Sequence, residues 1–192
     1  DGDNFFLDED GIHALEDNEI PEFEILEGVY DEEDPGNFPH MMLKEIHDQP
    51  TALSNALSGR ISADGINSEL SGFDLSPEQI KKLDRINLVA CGTAYYASEI
   101  ISSYIRQFTD IRSEAFIASE FPAKSVCSKN TLTIGVSQSG ETKDTLDALF
   151  EAKKFGSHIS SICNVIGSTM ARLTGNGAYL HAGPEYAVAS TK

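Results

Sequence analysis

From residue 86 onward the chain repeats one pattern, a short run of apolar and β-branched residues followed by a longer stretch of helical periodicity. INLVACG is apolar apart from Asn87, so as a strand it must be covered on both faces, and TLTIGVS is a β-branched run that reads as a further strand. Strands separated by helices reach a parallel neighbour through crossovers that lie on the sheet faces. The pattern therefore predicts an α/β fold: a three-layer αβα sandwich around a mostly parallel five-stranded sheet.

Five strands are expected: INLVACG, SEAFIASEF, TLTIGVS, HISSICNV and AYLHAG. Between them, Tyr96, Ile100, Tyr104 and Phe108, with Ala97, Ile101 and Ile105, mark a helix of about four turns. Residues 145–155 form another, with Leu146, Leu149 and Phe150 inward and Gly156 at its C-terminal cap. A short helix is expected near residues 168–173. VASTK at the end begins a further element. Upstream, Met41, Met42, Ile46, Leu53, Leu57 and Ile61 have helical spacing, and Pro50 should start or kink a helix. Ser76-Pro77-Glu78 has an N-cap followed by proline at the first helical position.

The 192 residues carry a net charge of −17 with 40% apolar composition. Seventeen of the 31 acids lie in residues 1–48 against one of the 14 bases, Lys44, so that stretch holds −16 and the remainder −1. Such a run is a solvated or linker segment, or a docking surface for a basic partner. Nucleic acid is not an expected partner, because phosphate backbones need a basic stripe. No apolar run is long enough to span a bilayer, and no leader resembles a secretory signal. The first residue is Asp1 and not Met, which suits a piece of a longer chain. Residues 1–28 read as short extended pieces with a turn at Glu9-Asp10-Gly11, and residues 29–39 as an acidic linker bearing Pro35, Gly36 and Pro39.

Cys91, Cys127 and Cys163 are an odd set with no close pair, which fits neither a disulfide framework nor a zinc site. Reduced thiols in a cytosolic protein are the simplest account, with Cys91 and Cys163 as small core residues. His13 falls in the N-terminal ribbon. His40, His47, His158 and His181 sit beside apolar segments, without a carboxylate at a telling spacing, and read as structural or exposed.

The chemistry concentrates at SQSGET, where the apolar run of TLTIGVS ends. Ser137, Ser139 and Thr142 crowd hydroxyls and free backbone N–H groups at one strand-to-helix turn. Helix N-termini bear unpaired donors and a positive dipole end, so a phosphate satisfies several at once. A capping turn is the bland alternative, with Ser139 as cap and Thr142 three residues on. One cap needs one hydroxyl, and this turn has three plus Gln138. With only Lys143 just beyond, neutral donors suit a reversibly bound monophosphate such as a sugar phosphate. Thr93, after Gly92, would serve the same ligand or simply cap the following helix. The G-x-x-x-x-G-K-[ST] and G-x-G-x-x-G nucleotide patterns are both absent, and Glu120 reads as a first-turn helix acid. In doubly wound sheets ligands lie beyond the carboxyl ends of the strands, so residues 91–95, 137–142, 164–168 and 183–190 are the loops that matter.

KEIHDQP at 44–50, SGRI at 58–61, LVACGTAYYAS at 88–98, ASEF at 118–121, SQSGETKDTL at 137–146, ICNV at 162–165 and VASTK at 188–192 carry a family likeness. From residue 41 to 192 the chain resembles the sugar isomerase (SIS) domains of the glutamine–fructose-6-phosphate aminotransferase family. The resemblance implies a flavodoxin-like sandwich and an isomerase built from two such domains. It implies that Thr93, Ser137, Gln138, Ser139 and Thr142 contact fructose 6-phosphate or glucosamine 6-phosphate, mostly at the phosphate, and that Val188 and Ala189 line the sugar. Ala94 stands where many relatives have Ser, so only its backbone N–H could serve.

The same resemblance implies no metal or redox cofactor. It makes residues 1–28 the last strands of an upstream amidotransferase domain, and residues 40–192 a first SIS domain. Its catalytic Lys, Glu and His come from the second SIS domain, a neighbouring subunit and the C-terminal tail, so no catalytic residue is expected in this chain. Glu185, in GPEYAVAS at the ligand edge, is expected to support that loop or a lysine; acid–base work and plain solvation are the alternatives. The implied setting is a cytoplasmic homodimer engaged in amino-sugar biosynthesis. A non-catalytic sugar-phosphate sensor, or another SIS-type isomerase or deaminase, is the alternative reading.

Overall fold

A computed structural model of the chain describes residues 5–8, 11–14 and 34–192. Of the extended pieces expected in residues 1–28, those after residue 14 lie outside the described residues, as does most of the acidic linker. The chain divides into two compact units, Asp1–Asp34 and Pro35–Lys192. In the first, β1 (Phe5–Asp8) pairs antiparallel with β2 (Gly11–Ala14), Phe5 opposite Ala14 and Asp8 opposite Gly11.

The second unit opens with α1 (Met41–Leu57) and the single turn α2 (Pro77–Ile80). His40 caps α1 through Nδ1, which accepts from the Leu43 N–H at 3.2 Å. α1 runs unbroken through Pro50, which neither starts nor ends a helix. The carbonyl that Pro50 cannot serve belongs to Ile46, which is 40% exposed, so water can take the missing donor's place. At α2 the expected cap is a full capping box: Ser76 Oγ accepts from Gln79 N–H at 3.2 Å, and Gln79 Oε1 from Ser76 N–H at 2.8 Å.

β3 (Arg85–Ala90), α3 (Gly92–Phe108), β4 (Arg112–Ile117), α4 (Ala123–Val126), β5 (Thr131–Ser137), α5 (Lys143–Lys154), β6 (His158–Cys163), α6 (Thr169–Thr174) and β7 (Gly177–Tyr179) follow. The sheet order is β4-β3-β5-β6-β7 and every pairing is parallel. The sheet is thus wholly parallel. The chain leaves β3 outward to β4, returns to β5 on the other side, and winds away through β6 and β7. The switch point lies between β3 and β5.

Alternate residues of these strands feed two cores. On one face Leu88, Ala90, Leu132, Ile134 and Val136 pack under Ile101 and Ile105 of α3. On the other, Val89 and Cys163 meet Leu146, Leu149 and Met170 from α5 and α6. Gly135 admits α5 closely, for a Cβ there would stand 2.7 Å from Leu149 Cδ1 and 2.8 Å from Met170 Sδ.

Four expectations change. Phe150, expected inward on α5, is 54% exposed, while Leu146 and Leu149 are buried. The second strand stops at Ile117, and residues Ala118–Glu120 form a 3₁₀ turn in which Glu120 is the first-turn acid, as expected. The last strand ends at Tyr179, two residues before His181 takes a left-handed φ of 53°. Residues 180–192 contain no helix or strand, so VASTK opens no new element; side-chain and backbone hydrogen bonds hold it instead.

Candidate anion cleft at the switch point

β3 and β5 end side by side, Ala90 in register with Val136, so the turns that follow them open at one place. α3 begins immediately at Gly92, whose φ of 57° turns the chain out of the strand. Its cap position is Cys91, which makes no side-chain capping bond. α5 has Thr142 at its cap, again without one. Each helix therefore presents its first N–H groups without an intrahelical or side-chain acceptor. Two positive helix ends converge on one cleft of about 410 Å³, lined by Cys91, Gly92, Thr93 and Ala94 from the first turn, by Val136, Ser137, Gln138, Ser139 and Thr142 from the second, and by Glu185, Ala187, Val188, Ala189 and Ser190.

The hydroxyls do not do what a capping turn requires. Ser139 is not the cap; its Oγ accepts from Glu141 N–H at 3.2 Å, which leaves the hydroxyl hydrogen free to be donated. Ser137 Oγ accepts from Gly140 N–H at 3.1 Å and pairs with Thr142 Oγ1 at 3.1 Å. One hydrogen of that pair is spent between them and the other is available. Thr93 is likewise inside the first turn of α3 and caps nothing.

The turn is braced from behind. The Gln138 carbonyl accepts from Asn164 N–H at 3.0 Å and Gly140 O from Met170 N–H at 3.0 Å. Glu141 Oε1 accepts from Thr169 N–H at 2.8 Å, and this backbone donor holds its carboxyl below the ordinary glutamate value. Gly140 has a φ of 69°, and a Cβ there would lie 2.2 Å from Ser168 Oγ. Loop 164–168 thus supports the cleft and does not line it. Asn164 also reaches the far wall, accepting from Ala182 N–H at 2.9 Å and donating to Gly183 O at 2.6 Å.

Glu185 lines the cleft, but its carboxylate is already engaged. It accepts from Ser190 Oγ at 2.6 Å, Thr191 N–H at 2.8 Å and Lys192 N–H at 3.0 Å. It ties a loop that carries Val188, fully exposed on the rim, and Ala189. Among the described residues no Lys or Arg lines the cleft, and Glu185 is its one charged group. Such a site can hold a phosphoryl group through amides and hydroxyls, beside a small apolar wall.

Cys163 is buried as expected, and burial pushes its thiol up. Cys91 is half-buried at the cleft, where the strand gives way to the helix. The histidines stand apart: His40 caps α1, His47 stacks on Phe38 at 5.1 Å, and none lines the cleft. Sequence reasoning passed over Glu45, whose carboxylate meets residues 186, 187 and 191 across a gap of more than 140 residues. Its one signal was membership of the KEIHDQP motif.

The SIS domain family matches residues 79–192. The glutamine–fructose-6-phosphate aminotransferase [isomerizing] of Clostridium acetobutylicum is 47% identical over 158 residues, which cover 82% of this chain and 26% of that protein. The enzyme of the same name from Thermotoga maritima is 40% identical across 100% of this chain and 32% of its own length. The chain therefore spans about a quarter to a third of these relatives. The C-terminal domain of glucosamine-fructose-6-phosphate aminotransferase from Francisella tularensis superposes with a TM-score of 0.69 at 36% identity, covering 81% of this chain and 43% of that one. A pattern match over more than half its length, on the parallel sandwich described above, makes this chain a member of the SIS domain family.

Proposed function

We propose that this chain is the sugar-phosphate-binding SIS half of a glutamine–fructose-6-phosphate aminotransferase (isomerizing), acting in amino-sugar biosynthesis. The observation that carries the reading is the meeting of two uncapped helix N-termini with the hydroxyls of Ser137, Ser139 and Thr142 in one cleft. The identity of 40–47% to relatives of that name supports it. Thr93, Ser137, Gln138, Ser139 and Thr142 take the phosphate of fructose 6-phosphate or glucosamine 6-phosphate; Ala94 offers its amide, and Val188 and Ala189 flank the sugar. Glu185 holds the loop.

On this reading residues 1–28 close an amidotransferase domain, residues 29–39 link it onward, and residues 40–192 form the first of two SIS domains. The proton shuttle between adjacent sugar carbons falls to residues outside this chain, in a cytoplasmic homodimer. Among the described residues no helix is long and apolar enough to cross a membrane.

The test is an assay of the full-length parent for glucosamine 6-phosphate formed from glutamine and fructose 6-phosphate. In that protein Ser139→Ala and Thr142→Ala should each weaken fructose 6-phosphate binding about ten- to a hundredfold, since a hydrogen bond to a charged group contributes about 1.5–3 kcal/mol. Unchanged affinity in both variants would overturn the reading. A parent that binds the sugar phosphate without turning it over would be a sensor.

A further inference from the structure

The motif KEIHDQP lies on α1, and none of its residues lines the cleft described above, though Gln49 lines an adjoining cavity that shares Ser137 and Gln138 with it. Its side chains nevertheless act on that cleft. Glu45 has no exposed surface. Its Oε1 accepts from Tyr186 N–H at 2.6 Å and Ala187 N–H at 3.1 Å, and its Oε2 from Thr191 Oγ1 at 3.4 Å. One helical turn on, Gln49 Nε2 donates to the Thr191 carbonyl, and Asp48 pairs with Lys192 Nζ at 3.1 Å. Positions 45, 48 and 49 fall on one face of the helix, and together they grip residues 186–192 along their length.

Burying a carboxylate is costly unless hydrogen bonds replace its water. An apolar residue would cover the loop at lower cost. A carboxylate does something an apolar residue cannot: it accepts two successive backbone amides, and so fixes the height and direction of the chain just before Val188 and Ala189. We infer that Glu45 is a positioning residue for the sugar end of the bound ligand, setting the loop at 186–191 against the hydroxyl turn at 137–142. The inference rests on the reading that this cleft takes a hexose phosphate. The phosphate-binding turn has its own braces at Asn164, Thr169 and Met170 and does not depend on Glu45.

That division supplies the test. In the full-length parent, Glu45→Ala, Glu45→Gln and Ser139→Ala are titrated with fructose 6-phosphate and, separately, with inorganic phosphate as its competitor. Glu45→Ala should weaken the sugar phosphate about tenfold and inorganic phosphate by no more than about twofold. Glu45→Gln keeps a carbonyl oxygen for the two amides and should fall between wild type and Glu45→Ala. Equal losses for both ligands in the Glu45 variants, or none for either, would overturn the inference. Should Glu45→Ala fail to fold, Glu45→Gln decides by the same selectivity. Ser139→Ala should weaken both ligands; if it weakens neither, the hexose-phosphate reading itself is what fails.

Discussion

Gly140 is where the hydroxyl turn is least forgiving. Its φ of 69° disfavours a side chain, and a Cβ would also meet Ser168 Oγ at 2.2 Å and Ser168 Cβ at 2.6 Å. Gly140→Ala should therefore cost about 1–3 kcal/mol from backbone strain alone, with the clash in addition. Urea denaturation would record the loss, and an unchanged midpoint would mean that the turn has another conformation open to it. Glu141, next along, makes a pH prediction. Its folded carboxyl titrates below the ordinary glutamate value because it accepts from Thr169 N–H. That contribution is present above the unfolded-state value and is lost as pH falls through the folded one. Glu141→Gln should flatten the acid limb of the stability profile in that window, and leave stability near neutrality changed only by the weaker neutral hydrogen bond. An acid limb as steep as the wild type's would count against this account.

Among the elements, the contact of β5 with α5 decides where the cleft sits. Gly135 lets the helix descend until Leu149 Cδ1 would stand 2.7 Å from a Cβ at that position. Leu149→Ala should cost about 2–5 kcal/mol as a cavity, and Gly135→Ala about 1–3 kcal/mol as overpacking. The two fill and empty one space, so the double variant should lose less than the two losses added, as a double-mutant cycle on urea midpoints would measure. Strictly additive losses would place the two residues out of contact. The same elements mark what a sequence can disclose. INLVACG was legible as a strand because coverage on both faces leaves an almost wholly apolar run, and TLTIGVS because β-branched residues favour a strand; their alternation with helices predicts the sandwich. The cap of α5 was not legible: Ser139 and Thr142 are equally good capping residues, and the choice turns on the pairing of Thr142 with Ser137. Nor was the unbroken course of α1, since local rules for Pro50 ignore that the stranded carbonyl is near water. That Ser139 and Thr142 would share one cleft could be read because a local turn holds them. Glu45 could not, because its partners lie over 140 residues away and no periodicity links them.

Over the whole molecule, the cleft joins three stretches that are far apart in the chain: residues 91–94, 136–142 and 185–190. The first two are rooted in neighbouring central strands, β3 and β5. The third belongs to a segment without helix or strand, held by Glu185 from within and by α1 from outside. A ligand seated among them cross-links the sheet to its least regular part, and it can do so only in the folded state. Linkage then gives a number: at a hundred times its dissociation constant, a ligand that binds only the folded chain adds about 2.7 kcal/mol. For a unit of this size that raises the melting temperature by about 5–10 °C. Ser139→Ala, at the same concentration of fructose 6-phosphate, should keep only about 0.4–1.4 kcal/mol of that gain if affinity drops ten- to a hundredfold. Amide exchange should slow in all three stretches together, with the largest change in residues 185–190, where the free chain has no ladder of its own. Protection confined to residues 136–142 would describe a bare phosphate site, with the third wall taking no part in holding the sugar.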